Sequence, residues 1–229
     1  IQNNQPDKGI DRLSYLSNSI FQTVKLSFFS LLTFLPFGIL FALFIAYYDN
    51  RYKFISSICK LIIKSFQCVP ILLWILIVII LLGSIKDMDS STKVSIYFMC
   101  FGLFSSPALS NLIVEKINQM KNEDFIVALK LLGLSDMRII FSHMLKHYCT
   151  PIILFQIAYI MAHAFFLDIT LCFIEQGSSD YISFGYYIYQ SFTNSYFQNN
   201  FEFNYLIVLS FITIYIFYYA ANYFKEQTS

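Results

Sequence analysis

Apolar residues in this chain come in long runs separated by short polar stretches, and one of the polar stretches is built differently from the others. Crossing roughly 30 Å of hydrocarbon takes about 20 predominantly apolar residues in a helix. Five runs approach or reach that length: Leu26 to Tyr48, Leu61 to Gly83, Val94 to Val114, Tyr148 to Phe173 and Tyr205 to Phe224. They predict an all-α, polytopic membrane protein with five transmembrane helices and its two termini on opposite sides. Composition agrees: 57% of the residues are hydrophobic and 13% charged, against about 25% charged in soluble domains.

The exceptional stretch is Glu123 to Pro151, EDFIVALKLLGLSDMRIIFSHMLKHYCTP. Asn122 suits a helix cap, and Glu123 and Asp124 place negative charge at the positive end of the helix dipole. Phe125, Ala128, Leu129 and Leu132 recur at helical spacing and predict one apolar ridge. Gly133 follows where glycine commonly ends a helix in the left-handed conformation. Ser135 and Asp136 restart it, with Met137, Ile140, Phe141, Met144 and Leu145 apolar and Arg138, His143, Lys146 and His147 polar. The prediction is helix, glycine turn, helix. Its charge keeps it outside the hydrocarbon, either protruding or lying on the membrane surface as an interfacial helix.

Basic residues orient the spans, because Lys- and Arg-bearing loops are retained on the cytoplasmic side. Arg51, Lys53 and Lys60 share a side with the insert and with Lys225, whereas Glu175 to Asn204 holds neither Lys nor Arg. The insert is therefore expected to be cytoplasmic, the N-terminal segment external, and 175–204 an external loop. Lys25 and Lys64 fall within or beside predicted spans and are expected to snorkel to an interface.

Several chemistries lack their residues. The five cysteines are scattered without paired spacing, so they read as small buried hydrophobes and not as a disulfide framework or metal site. A net charge of +1 gives no reason to expect nucleic acid. His143 and His147 have zincin-like i, i+4 spacing without the glutamate of HExxH, and no P-loop is present in the sequence. A carboxylate within an apolar span is expensive and faces protein or a water-filled path. Asp168, with His163 five residues before it, is the candidate of that kind, for a translocation path, an external gate or the ion site of a secondary transporter.

The insert resembles the cytoplasmic coupling loop of inner-membrane permeases of binding-protein-dependent ABC importers, in particular the second permease of the dipeptide, oligopeptide and nickel group. Phe125 takes the family's aromatic position and Ala128 its first alanine, and Leu132, Gly133, Ser135, Asp136, Arg138, Ile139, Ile140, His143 and Leu145 match in register. Val127 and Leu129 stand where the family has glutamate and a second alanine. Elsewhere Gly9, Asp11, Ser14 and Leu16 resemble the segment after the family's first span. Pro70 falls at a proline of its third span, and Pro151 at the one opening the fifth. Asp168, Leu171, Phe173, Gly177 and Phe184-Gly185 follow a further family run.

That resemblance implies a permease domain over 24–229 with its coupling loop at 115–147, preceded by an external segment at 1–23 and a further span upstream. It implies a coupling surface for an ATPase made by Glu123, Asp124, Phe125, Ala128, Leu129, Leu132, Gly133, Ser135, Asp136, Arg138 and His143. Pro70, His163 and Asp168 are candidates for the path or a gate. The implied partners are a homologous second permease, two ATPase subunits that bind ATP and Mg, an extracytoplasmic solute-binding protein and the bilayer of the bacterial cytoplasmic membrane. The chain itself would hold no cofactor, catalyse nothing, and move peptides or a nickel or other metal-chelate solute.

Overall fold

The structure, a computed structural model, describes residues 10–48, 53–85, 88–121, 123–174, 182–193 and 201–226, all helical or in short connections. In chain order the helices are α1 (Ile10–Tyr48), α2 (Lys53–Cys68), α3 (Ile71–Gly83), α4 (Ser90–Met120), α5 (Asp124–Leu131), α6 (Asp136–Arg138), α7 (Thr150–Phe173), α8 (Phe184–Thr193) and α9 (Phe201–Glu226), with a π-helical segment, Ile139–Tyr148, between α6 and α7. Among the described residues, four helices are long and apolar enough to cross a membrane, and α2 with α3 makes a fifth if that bent pair counts as one span. The chain is an all-α polytopic membrane protein.

Helices α1 and α4 form the centre. Without a hydrophobic driving force between helices in lipid, close backbone approach through small residues holds them together. On α1 a row with near-helical spacing, Ser19, Thr23, Ser27, Ser30, Gly38, Ala42 and Ala46, is buried or in close contact. Its counterpart on α4 is Gly102, Ser106 and Ser110. A Cβ on Gly102 would run into the Ser30 carbonyl and the Thr33 hydroxyl, and one on Gly38 would lie 2.7 Å from Leu109. Hydroxyls close the seam: Ser110 donates to the Gly38 carbonyl at 2.6 Å and Thr33 to the Met99 carbonyl at 2.7 Å. Around this seam Leu26, Phe34, Tyr97, Phe98, Leu109, Ile113 and Ile117 make the apolar core.

Three expectations change. The run Leu61 to Gly83 is not one straight span: it breaks at Pro70, and the axes of α2 and α3 differ by 86°. Proline has no N–H to continue the ladder and pushes its predecessor out of helical geometry, so two helices replace one. Helix α1 starts at Ile10, so residues 10–23 of the segment placed at 1–23 are continuous with the first span. The stretch 175–204, expected as a loop, contains α8, whose Phe184, Gly185 and Ile188 are buried against the bundle.

Candidate functional site

Two places concentrate the predicted residues: the 123–149 insert, and the far end of α7 around Asp168.

In the insert, Glu123 occupies the N-cap of α5 with Asp124 in its first turn, while Asn122 lies outside the described residues. At the other end the Leu134 N–H donates to the Leu129 carbonyl at 3.3 Å and the Gly133 N–H to the Lys130 carbonyl at 2.9 Å. These are the paired bonds of a Schellman cap, with Gly133 at φ +81° as the left-handed residue. Leu129 and Leu134 both pack on the core beneath. Ser135 then caps α6 by its position, though its hydroxyl makes no capping bond.

The ridge expected from Phe125, Ala128, Leu129 and Leu132 is split. Ile126 is buried, and Phe125 and Leu129 turn inward with it, Phe125 stacking on Tyr148 at 5.4 Å. Ala128 and Leu132 turn outward. The reason is where the core lies: Ile126, which the ridge omitted, is the residue of α5 buried in the core cluster that also holds Met120, Ile139 and Met144. The outer face is still apolar, with Leu131 84% and Leu132 78% exposed and Val127 beside them.

The second helix of the insert is π-helical from Ile139, the Cys149 N–H reaching the Met144 carbonyl at 3.1 Å. The i→i+5 ladder aligns residues five apart. Ile139, Ile140, Met144, Leu145 and Cys149 therefore all face the bundle, while Met137 and Phe141 are left outside. Ser135, Asp136 and Arg138 are exposed and His143 half-buried. Burial pushes the Cys149 thiol up to about 11 against a weaker opposing pull from the Lys116 ammonium, so it stays protonated.

Asp168 is 2% exposed and fully partnered. The Thr23 hydroxyl and the Gly185 N–H each donate to its Oδ2 at 2.8 Å, and Ser183 adds a further bond. Thr23 in turn accepts the Phe184 N–H at 2.9 Å, and the Ser183 hydroxyl accepts the Tyr186 N–H at 3.2 Å. A carboxylate at a helix N-terminus satisfies N–H groups that have no partner in their own helix. Asp168 thus ties the start of α8 to α7 and α1. Gly185 permits the approach, because a Cβ there would come within 2.6 Å of the Asp168 carbonyl.

His163 is not part of this knot. Its Nδ1 pairs with the Tyr159 carbonyl at 2.9 Å, and its ring lies on that of Tyr159. Five residues along a helix is about 140° around it, so the two candidates point apart. Pro70 stands exposed at the α2–α3 corner, remote from both in sequence and contact. Gly177 lies outside the described residues. Among those described, no group of three or more His, Cys, Asp or Glu could hold a metal ion.

Sequence reasoning missed Thr23 and Gly185 as partners of Asp168, and Leu131, Met137 and Phe141 as the exposed apolar surface. Thr23 lies 145 residues from Asp168 and carries no local signal, whereas two adjacent leucines just before a helix-ending glycine do offer one for Leu131.

No curated protein matches the chain. Residues 12–227 match the family of binding-protein-dependent transport system inner membrane components. With nearly every described helix inside that match, the chain belongs to this family of ABC importer permeases.

Proposed function

We propose that this chain is one of two permease subunits through which an ATPase pair drives import of a peptide or a metal chelate such as nickel. In this reading the insert side is cytoplasmic and the ATPase docks on the outer face of the insert. A homologous permease, two ATPases binding ATP and Mg, and an extracytoplasmic solute-binding protein complete the assembly. The observation that carries the reading is the two-sidedness of the insert. Its inner face, Ile126, Ile139, Ile140, Met144 and Leu145, is packed into the bundle, while its outer face leaves Val127, Leu131, Leu132, Met137 and Phe141 exposed beside charged Asp124, Lys130 and Arg138. An apolar centre with a charged rim is the make-up of a protein interface. A push on that face reaches the spans through packed side chains, and nucleotide biases inward- against outward-open spans by as much as it prefers one of them. The Leu132-Gly133 and Ser135-Asp136-x-Arg138 matches support the peptide and nickel group.

The test is a pair of substitutions two residues apart: Leu131→Asp on the outer face and Leu129→Asp on the inner. Leu131→Asp buries an unpaired charge only when the ATPase binds, and is expected to weaken ATPase co-purification about 100-fold, ~3 kcal/mol, at unchanged thermal stability. Leu129→Asp is expected to lower the stability of the permease itself by about 2–4 kcal/mol. Parental ATPase binding and solute-stimulated hydrolysis in Leu131→Asp would refute the docking face. Mass spectrometry of co-purified cargo decides between peptide and chelate.

A further inference from the structure

We propose that α2 is an in-plane helix seated in the membrane surface on the insert side, and that its Lys60–Lys64 stripe engages anionic phospholipid headgroups of that leaflet. The inference is independent of cargo and of ATPase coupling.

The first observation is the corner. Helix α3 packs along α4 through buried Ile75 and Ile79, with Trp74 stacked on Phe104 at 5.2 Å. Phe66, near the end of α2, joins that stack at 5.6 Å from Trp74 and 5.7 Å from Phe104, and its carbonyl accepts the indole N–H at 3.4 Å. At 86° to α3, α2 therefore leaves the bundle sideways.

The second is depth. Helix α4, 31 residues long, measures about 46 Å and, set upright and centred on a 30 Å hydrocarbon core, overhangs it by about 8 Å at each end. The Asn111 amide donates to the Gln67 side chain at 3.0 Å. Asn111 lies nine residues before Met120, the end that leads into the insert, which puts the end of α2 about 6 Å inside the hydrocarbon boundary. That is within the roughly 5–10 Å at which amphipathic helices lie in the headgroup and acyl border.

The third is how the faces of α2 are distributed. At about 100° per residue, Ser56 and Ile63, both buried, and half-buried Cys59 and Phe66 form a stripe toward α1 and α4. On one flank of that stripe stand exposed Ile55, Ile58 and Ile62, continuing to Leu61 and Phe54. On the opposite flank stand exposed Lys60, Lys64, Ser57 and Gln67. A helix lying in the membrane plane against a bundle needs this order: protein on one side, acyl chains above, headgroups below. A helix crossing the bilayer would set Lys60 and Lys64 against acyl chains. Basic side chains at this level meet the negative surface potential of anionic lipid.

The permease complex is reconstituted in phosphatidylcholine vesicles with and without phosphatidylglycerol, with Cys59, Cys68 and Cys100 replaced by serine and spin labels at Ser57→Cys, Ile58→Cys or Ile62→Cys. The labels at 58 and 62 are expected to relax with dissolved oxygen and the label at 57 with an aqueous nickel chelate, the two accessibilities reversing by about tenfold between the flanks. Spin-labelled phosphatidylglycerol is expected to be preferred over phosphatidylcholine at the protein boundary, and Lys60→Gln with Lys64→Gln, or Lys64→Gln alone, to lower that preference about twofold or more. Labels at 58 and 62 shielded from both relaxants would mean that a protein partner covers the face. Labels reached by the chelate would mean that the face is in water. Either result, or a headgroup preference indifferent to the lysines, overturns the proposal.

Discussion

The two ends of α7 solve opposite problems. At one end, about 27 Å along the helix from Thr150, a carboxylate that has no business in an apolar protein is buried and satisfied by Thr23, Gly185 and Ser183. At the other, apolar side chains that could have been buried are held out by a capped, rigid insert. A polar group whose partners are all internal is a fastening. Apolar surface held outward is what the proposed docking of an ATPase would cover. The comparison sets Asp168 apart as a fastening and leaves Leu131 and its neighbours as the proposed docking face within the insert that the sequence already singled out.

The largest expected effect is at the fastening. Asp168→Ala leaves the Gly185 N–H buried without an acceptor, at about 1–3 kcal/mol, and leaves the Thr23 hydroxyl only its longer bond to the Ser19 carbonyl at 3.3 Å; it is expected to lower the thermal stability of the purified complex and expose α8 to protease. Asp168→Asn keeps one acceptor oxygen and should lose less. Both should retain ATPase binding wherever the complex survives, the converse of Leu131→Asp; if Asp168→Ala is as stable as the parent and only transport changes, Asp168 acts on the path instead.

A smaller effect is expected at the turn of the insert. A Cβ on Gly133 would meet nothing within 4 Å, so Gly133→Val is penalised by its backbone conformation alone, about 1–2 kcal/mol. Solute-stimulated ATP hydrolysis should fall more than permease stability, and Gly133→Asn, which tolerates the left-handed region, should recover much of it. Equal stimulation in Val and Asn variants would show that the turn does not set the outer face.

The smallest concerns Cys149, at the root of the insert. Its thiol titrates near 9 when unfolded and about 11 when folded, so the folded state disfavours the thiolate. Stability is untouched below about pH 9 and declines as pH rises from there toward 11, by less than about 2 kcal/mol. Cys149→Ala should flatten that alkaline decline in thermal melts; an unchanged slope would remove Cys149 as its source.

Hydropathy located the spans because crossing hydrocarbon is a one-dimensional demand on length and composition, and runs such as Tyr205 to Phe224 meet it locally. The left-handed turn at Gly133 was legible for the same reason: a cap is set by neighbours a few residues away. The inward face of α5 was not, because Ala128, Leu129 and Leu132 are equally apolar and only the position of α4 and the π segment decides which of them is buried. Helix α8 was hidden as well, since three buried residues in ten make too weak a pattern without the surface they dock on. Pro70 was visible as a proline, but the angle of the break comes from Phe66, Trp74 and Phe104 meeting at the corner.

The sequence by itself determined that this chain is helical and lives in a membrane, and that a charged helix-turn-helix interrupts its spans, because each of these follows from solvation and local backbone preference. Tertiary structure alone decided that Asp168 is a fastening, that the insert presents Leu131 in place of Leu129, and that α2 leaves the bundle at 86°. Those outcomes depend on which groups meet across 145 residues of chain, and the free energy of a contact is invisible until both partners are in place.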